Sequence, residues 1–167
     1  GVLSNAVAGM LYAIVRGADV VYLGWSTREA AGEAKLFEDT VQLANAFGVL
    51  LVAPAGDEGV QIQSYPGLLP ASATGVLTVA ASDVNGRLLR TSNWGDRVDL
   101  TAPGFSLSDL TSPTPSRRIM VPSGSSFSAA YVAAAAALRL SVSPRWHLEE
   151  LRSVLRAAAK RDGRAAY

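Results

Sequence analysis

The residues with the clearest potential for chemistry are serines at the start of an alanine-rich run. The segment MVPSGSSFSAAYVAAAAALRL, residues 120–140, contains four of them: Ser123, Ser125, Ser126 and Ser128. Alanine has the highest helix propensity, so residues 129–140 are predicted to be helical, with the serines at the amino end. A serine in a first helical turn could act as a nucleophile, because the backbone N–H groups and the helix dipole there stabilise a developing oxyanion.

The same serines fit three other roles. A serine before a helix is commonly an N-cap, whose oxygen accepts an otherwise unpaired backbone N–H, and for the segment seen alone this is the more frequent role. Gly124 and the free N–H groups of a helix start could instead hold a phosphate, although no lysine follows as in a P-loop. A nucleophile elbow needs the pattern G-x-S-x-G, but its last position here is Ser128. The residues alone leave these alternatives open.

A nucleophilic serine needs a base, and the sequence contains a single histidine. His147 follows the serines, in the segment PRWHLEEL of a predicted last helix. We expect it to be a surface or capping residue, because a base must lie against the serine Oγ. The chain has no cysteine, which excludes disulfides, thiolate metal sites and a cysteine nucleophile.

Length and composition indicate one globular domain. The chain has 167 residues, of which 49% are apolar and 17% charged, and its net charge is +1. This weak charge predicts no general attraction to nucleic acid or to an anionic membrane. The longest apolar run, AAYVAAAAAL, is far shorter than the ~20 residues of a membrane span. No acidic cluster has the spacing of Ca²⁺ ligands, and we expect no metal and no cofactor. The missing initiator Met suggests that the chain is cut from a longer protein.

Helical and strand-like segments alternate along the chain. Apolar residues at helical spacing predict a first helix that ends at Gly17 and a second over about 28–47 that ends at Gly48. Four apolar runs predict buried strands: ADVVYLGW, VLLVAPAG, GVLTVAASD and RVDLTAP. The segments GDEGVQIQSYPG and FSLSDLTSPTPSRR are predicted loops. The last helix is predicted to begin with Ser143 as N-cap and Pro144 as the first helical residue. Continuous apolar strands between helices indicate an α/β fold with a parallel sheet.

Five blocks of the sequence resemble the subtilisin-like serine proteases. The block G-S-S-F-S-A-A-Y-V-A-A-A-A-A-L resembles that family's signature G-T-S-M-A-S-P-H-V-A-G-A-A-A-L. The other four are GADVVYLGWS, VLLVAPAGDEG, SYPGLLPASATGVLTVAA and TSNWGDRVDLTAPG. All five occur in family order and cover nearly the whole chain. The resemblance implies a three-layer α/β fold with a central parallel sheet, here incomplete.

The resemblance also implies roles for individual residues. Ser126 would be the nucleophile, its N–H one oxyanion donor, and the side chain at Asp57 would hold the position of the other. Two substrate-binding segments are implied: an edge strand of Gly24, Trp25 and Ser26 that pairs with substrate backbone, and a pocket wall of Pro54, Ala55 and Gly56. A cis peptide is expected at Tyr65–Pro66.

Several positions depart from the family pattern. The family has Asn where this chain has Asp57, and an ionised carboxylate only accepts hydrogen bonds, so Asp57 can assist only when it is protonated. The family's Pro and His after the nucleophile are Ala130 and Tyr131. Trp25 is bulkier than the family Leu and is expected to narrow the cleft.

In the family that this chain resembles, the catalytic Asp and His precede all five of the matching blocks. No D-[ST]-G block and no H-G-T block occurs in residues 1–167. We therefore interpret residues 1–167 as a single domain, the C-terminal part of a subtilisin-like peptidase domain. It would be a serine endopeptidase fragment, inactive alone, completed by an upstream segment or a companion chain and acting on peptides or proteins. The alternative is a non-catalytic pseudoenzyme module for peptide binding or scaffolding. The resemblance favours a secreted or extracytoplasmic location, and an incomplete fold predicts an exposed apolar face or bare sheet edge.

Overall fold

A computed structural model describes residues 3–27, 34–67, 75–104, 123–143 and 147–159. Helices and strands alternate in its first half and helices close the chain. The elements are α1 (Leu3–Val15), β1 (Val20–Tyr22), α2 (Ala34–Ala46), β2 (Leu50–Pro54), β3 (Val76–Ser82), β4 (Leu100–Pro103), α3 (Ser125–Val142) and α4 (Leu148–Ala158). The predicted loop 105–118 lies outside the described residues.

The four strands form one parallel sheet in the order β1-β2-β3-β4. Every residue of β2 and of β3 is buried. Both strands therefore read as nearly continuous apolar runs, as expected for a parallel sheet covered on both faces. The predicted parallel α/β architecture is confirmed.

Side chains of β2 alternate between two apolar layers, because successive residues of a strand point to opposite faces. Leu51 and Ala53 pack with α1 and α2, whose core includes Phe37 and Met10. Leu50 and Val52 pack with α3 and α4 on the other face. The result is helix, sheet and helix in three layers, as the sequence predicted.

Two glycines end the first two helices where the sequence predicted. Gly17 follows α1 with a φ of 75°, and Gly48 follows α2 with a φ of 72°. Such left-handed residues let the chain leave a helix at once, and glycine adopts them without a Cβ penalty. Each helix is thereby followed within a few residues by a strand.

The predicted start of the last helix was wrong. Ser143 is the C-cap of α3, and its N–H donates to the carbonyl oxygen of Arg139 at 3.2 Å. The last helix, α4, begins at Leu148 with His147 as N-cap, and the His147 N–H donates to Glu150 Oε2 at 3.3 Å. Pro144 lies outside the described residues. His147 is thus a capping residue, as expected.

Helix α3 is longer than predicted and is only partly covered. It begins at Ser125 rather than near residue 129, and one face packs against all four strands. The other face carries an exposed apolar set at helical spacing, which we call the α3 stripe: Tyr131, Ala134, Ala135, Leu138 and Val142. By length and composition alone, with a mean hydropathy of 1.2 over 18 residues, α3 is apolar enough to cross a membrane. A core helix packed on a sheet meets the same criteria, so this composition is weak evidence for a span.

Candidate active site

The amino end of α3 lies where the carboxyl ends of the four strands meet. The Gly124 N–H donates to the carbonyl oxygen of Gly104, just after β4, at 2.6 Å. The hydroxyl of Tyr22, the last residue of β1, donates to the carbonyl oxygen of Ser126 at 2.9 Å. The carboxyl edge of a parallel sheet is where ligands bind in open α/β folds. The geometry therefore places the serine cluster at the position where a substrate is expected.

Asp57 and Ser125 connect the loop after β2 to the start of α3. The Ser125 N–H donates to Asp57 Oδ1 at 2.7 Å, and Ser125 Oγ donates to Asp57 Oδ2 at 3.1 Å. Ser125 Oγ also accepts the Gly56 N–H at 3.0 Å. A carboxylate at a helix amino end is stabilised by the helix dipole and by the unpaired N–H groups there. We call this arrangement the Asp57–Ser125 pair; sequence reasoning missed it.

Glycine at positions 104 and 124 permits the close approach of α3 to the strand ends. A Cβ at Gly124 would lie 2.9 Å from Asp57 Oδ2, and one at Gly104 would lie 2.5 Å from Ser128 Oγ. Both distances are shorter than real Cβ contacts allow. At Gly124 a larger residue would displace the Asp57 carboxylate, whereas at Gly104 it would also meet the Gly124 carbonyl oxygen at 2.8 Å and so push the start of α3 away from β4.

The loop after β2 is organised by a buried asparagine that sequence reasoning missed. Asn93 is only 1% exposed. Its Oδ1 accepts the N–H groups of Glu58 and Val60, both at 3.1 Å, and its Nδ2 donates to the carbonyl oxygen of Ala55. A buried amide with all these partners satisfied holds the backbone around Asp57 in one conformation.

Ser126 occupies the first turn of α3 and is half-buried. Backbone N–H groups in a first turn have no acceptor within the helix, which is the geometry an oxyanion donor needs. The N-cap is Gly124, so none of the four serines holds the capping position. The hydroxyl of Ser128 donates to the carbonyl oxygen of Ala102 at 2.8 Å.

The two predicted substrate-binding segments lie at this same edge of the sheet. The predicted edge strand does not extend over Gly24, Trp25 and Ser26: β1 ends at Tyr22, and the Trp25 N–H turns back to the carbonyl oxygen of Leu23 at 2.8 Å. Gly24 and Ser26 are exposed, whereas Pro54, Ala55 and Gly56 are buried. The half-buried Trp25 packs its ring edge-on against Phe37 at 5.5 Å between centroids, and its effect on the width of the cleft stays a prediction. The expected cis peptide at Tyr65–Pro66 is confirmed.

The single histidine lies away from Ser126. His147 caps α4, and Arg152 of that helix donates to the carbonyl oxygen of Val76, the first residue of β3. This contact places α4 at the amino ends of the strands, opposite the start of α3. His147 therefore does not supply a base to Ser126.

No potential metal site is formed by the described part of the chain. Within those ranges, His, Asp and Glu side chains do not gather in groups of three or more that could hold an ion. The chemistry available at the strand ends is that of hydroxyls, backbone N–H groups and the Asp57 carboxylate.

The three-layer fold, with a serine-bearing helix start at the carboxyl ends of parallel strands, is that of the subtilisin-like proteases. A sequence model described as "Subtilase family" matches residues 3–166. Because the match spans nearly the whole chain, the chain belongs to the subtilase family.

Curated relatives agree with this assignment, and a solved structure shares the fold. The chain is 30% identical over 159 residues to the "Thermostable alkaline protease" of Halalkalibacterium halodurans, covering 95% of this chain and 41% of that protein. It is 29% identical over 168 residues to "Subtilisin-like protease 4" of Trichophyton rubrum, covering 98% and 41%. The fold is similar to that of a cold adapted subtilisin-like serine proteinase, with a TM-score of 0.74, 23% identity and coverage of 94% and 55%. The chain thus spans less than half the length of these curated relatives.

Proposed function

We propose that this chain carries the nucleophile half of a subtilisin-like serine endopeptidase, with Ser126 as the residue that attacks the scissile carbonyl. The observation that carries the proposal is the position of Ser126, half-buried in the first turn of α3 where the strand ends meet. A first-turn N–H beside the attacking hydroxyl stabilises the oxyanion that forms there.

The other predicted site residues receive roles from the same proposal. Asp57 holds the second oxyanion position and contributes when it is protonated. Gly24, Trp25 and Ser26 pair with the substrate backbone, and Pro54, Ala55 and Gly56 form a wall of the pocket for the residue before the cut. The exposure of Gly24 and Ser26 supports pairing with an extended peptide or protein substrate.

The catalytic base comes from outside residues 1–167 in this proposal. An upstream segment or a companion chain supplies the Asp and His, so that the chain is the C-terminal part of one peptidase domain. The α3 stripe supports this, because an apolar face of this kind is normally covered. Without its base the serine loses most of its catalytic power, so the chain alone is expected to be inactive. The family resemblance favours a secreted or extracytoplasmic protein.

The Asp57–Ser125 pair favours a second candidate, a non-catalytic module that binds peptides or acts as a scaffold. Both carboxylate oxygens of Asp57 accept hydrogen bonds from Ser125. An ionised Asp57 would repel a developing oxyanion and raise the barrier. Such a module would still bind an extended peptide along Gly24–Ser26 without cleaving it.

Fluorophosphonate labelling of the intact protein, from acidic to neutral pH, separates the two candidates. The enzyme forms an adduct on Ser126 that Ser126→Ala abolishes, while the control Ser123→Ala, at an exposed serine nearby, retains it. An adduct that forms only at acidic pH supports a protonated Asp57. Absence of an adduct at every pH contradicts the nucleophile and leaves the binding module.

The sequence upstream of Gly1 offers an independent test. A D-[ST]-G block and an H-G-T block at family spacing would support the enzyme. If a complete upstream sequence, and any companion chain, lacks both blocks, the endopeptidase proposal fails.

A further inference from the structure

Tyr22 lies between the predicted substrate-pairing strand and the nucleophile. It is the last residue of β1, and its hydroxyl donates to the carbonyl oxygen of Ser126 at 2.9 Å, across 104 positions of sequence. Neither the serine cluster nor the edge strand indicated this contact in the sequence.

Gly24 leaves room for the Tyr22 ring. A Cβ at Gly24 would lie 2.8 Å from Cε1, Cζ and the hydroxyl oxygen of Tyr22. The φ of Gly24 is not positive, so the backbone does not itself require glycine. The ring therefore packs on the Gly24 backbone while its hydroxyl binds the first turn of α3.

Hydrogen bonds on the strand side hold Tyr22 in place. It pairs with Val52 in the parallel ladder, and the next residue, Leu23, donates its N–H to the Val52 carbonyl oxygen at 2.8 Å. The ring is 41% exposed, so this junction is open to a substrate. The phenol thus links the end of β1 to the first turn of α3.

We propose that Tyr22 is a positioning residue, which sets the spacing between the predicted substrate-pairing segment Gly24–Ser26, just beyond β1, and the hydroxyl of Ser126. This inference rests on the proposed function. A bound peptide paired to this segment presents its scissile carbonyl to Ser126 only if that spacing is correct, since small displacements of reacting atoms are costly. A small reagent that reaches Ser126 without pairing to the segment does not depend on the spacing.

The test compares two phosphonylating reagents on the intact protein: a small alkyl fluorophosphonate and a peptidyl diphenyl phosphonate. In both, Ser126 Oγ bonds to phosphorus, fluoride or phenoxide leaves, and the serine proton passes to the base. Tyr22→Phe, which removes only the hydroxyl, should slow peptidyl labelling roughly 3- to 10-fold, the effect of one lost hydrogen bond, and leave the small reagent's rate unchanged. The control Tyr12→Phe changes an exposed tyrosine of α1 and should alter neither rate.

Gly24→Ala provides a second variant, because the added methyl group displaces the ring. Combining it with Tyr22→Phe should slow peptidyl labelling no further than Gly24→Ala alone, since both changes remove the same contact. Equal slowing of the two reagents by Tyr22→Phe, or no slowing, would overturn the positioning role while the proposed function stands. No labelling of the wild type by either reagent would instead defeat the proposed function and, with it, this inference.

A spectroscopic measurement checks the contact without catalysis. In the intact protein, the carbonyl ¹³C shift of Ser126 should move in Tyr22→Phe and stay in place in Tyr12→Phe. An unmoved resonance in Tyr22→Phe would contradict the hydrogen bond.

Discussion

The carboxylate of Asp57 accepts two hydrogen bonds from one residue, Ser125. Only a protonated Asp57 can donate a hydrogen bond of its own. When ionised it only accepts, from the N–H and the hydroxyl of Ser125. An asparagine at this position keeps an acceptor for the Ser125 N–H and adds an N–H₂ donor for the oxyanion. In the proposed enzyme, we therefore expect the residue type at position 57 to determine the activity at neutral pH.

Asp57→Asn should raise the rate of Ser126 labelling in the intact protein at neutral pH. One oxyanion-hole donor is worth roughly 10²–10³-fold in subtilisin, which sets the upper limit of the gain. The variant should also lose any acidic optimum, because the amide does not titrate. The control Glu58→Gln neutralises the adjacent exposed carboxylate. A slower Asp57→Asn variant would show that the carboxylate serves only to hold Ser125.

Ser125→Ala should destabilise the chain by about 1–3 kcal/mol, because the buried Gly56 N–H loses its acceptor and Asp57 loses a donor. Urea unfolding measures the change. The matched control is Ser123→Ala, at an exposed serine two positions earlier. Equal stability of the two variants would contradict a structural role for the Asp57–Ser125 pair.

At the scale of elements, a charged cluster joins α4 to the amino ends of β3 and β4. Arg152 is only 7% exposed and lies 3.7 Å from Asp99, while its Nε and Nη1 have no hydrogen-bond partner. Burial lowers the pKa of the Arg152 guanidinium, and the charge of Asp99 opposes that shift. Asp99 also accepts the Thr78 N–H at 2.7 Å and pairs with Arg156. The carboxylate is therefore the common partner of the cluster.

Asp99→Ala should lower the free energy of unfolding more than any other change in this cluster, by about 3–5 kcal/mol, because it leaves the buried Arg152 with only the exposed Glu149, 3.7 Å away, as a charge partner. Arg152→Met keeps most of the side-chain volume and leaves Asp99 paired with Arg156, so its cost should be smaller. Denaturant unfolding of both variants gives the comparison. A larger loss in Arg152→Met would contradict this account.

The turn after β3 should confer a pH-dependent part of the stability. The pKa of Asp83 lies below its usual range, chiefly because the Arg87 N–H donates to the carboxylate, assisted by the Asn85 N–H. A lowered folded-state pKa means that the stabilisation is present above the unfolded value of ~3.9 and is lost as pH falls through the folded value.

Asp83→Asn should therefore lower Tm at neutral pH, and the difference from wild type should shrink as pH falls below about 4. Thermal unfolding between neutral and strongly acidic pH measures this. Asp96→Asn, at another exposed loop aspartate, is the control. A difference that persists unchanged in acid would contradict the hydrogen-bonded carboxylate.

At the scale of the whole molecule, the α3 stripe should behave as uncovered core in the isolated chain. Replacing Leu138 and Val142 by Glu should reduce binding of 8-anilinonaphthalene-1-sulfonate, which reports exposed apolar surface. Leu138 is 69% and Val142 78% exposed, so the change should cost little stability. The control Ser141→Glu adds a charge to the same helix without removing apolar surface.

The intact protein should bind little dye with or without these changes, if an upstream segment or companion chain covers the stripe. Equal dye binding by the isolated chain and the intact protein would show that the stripe is not covered.

Sequence patterns predicted the architecture well because the relevant signals are local. The apolar runs of β2 and β3 and the positive φ of Gly17 and Gly48 follow from neighbouring residues. The predicted start of α4 was wrong because both Ser143 and His147 can cap a helix. Ser143 ends α3 instead, where its N–H and its hydroxyl both form hydrogen bonds with Arg139.

The contacts around the candidate site could not be predicted from the sequence. Tyr22 with Ser126 and Asp57 with Ser125 join residues 104 and 68 positions apart. No periodicity encodes such pairs, because they depend on how four strand ends converge on one helix. Ser126 itself was found through its sequence block, and its role as nucleophile stays a prediction.

The sequential strand order has a consequence for synthesis on the ribosome. Each strand pairs with the one made before it, starting at Val20, Leu50, Val76 and Leu100, so the growing chain can add strands in the order in which they emerge. Helix α3 contacts all four strands and follows the last of them. We therefore expect Ser126 to acquire its first-turn geometry only after the whole sheet has emerged.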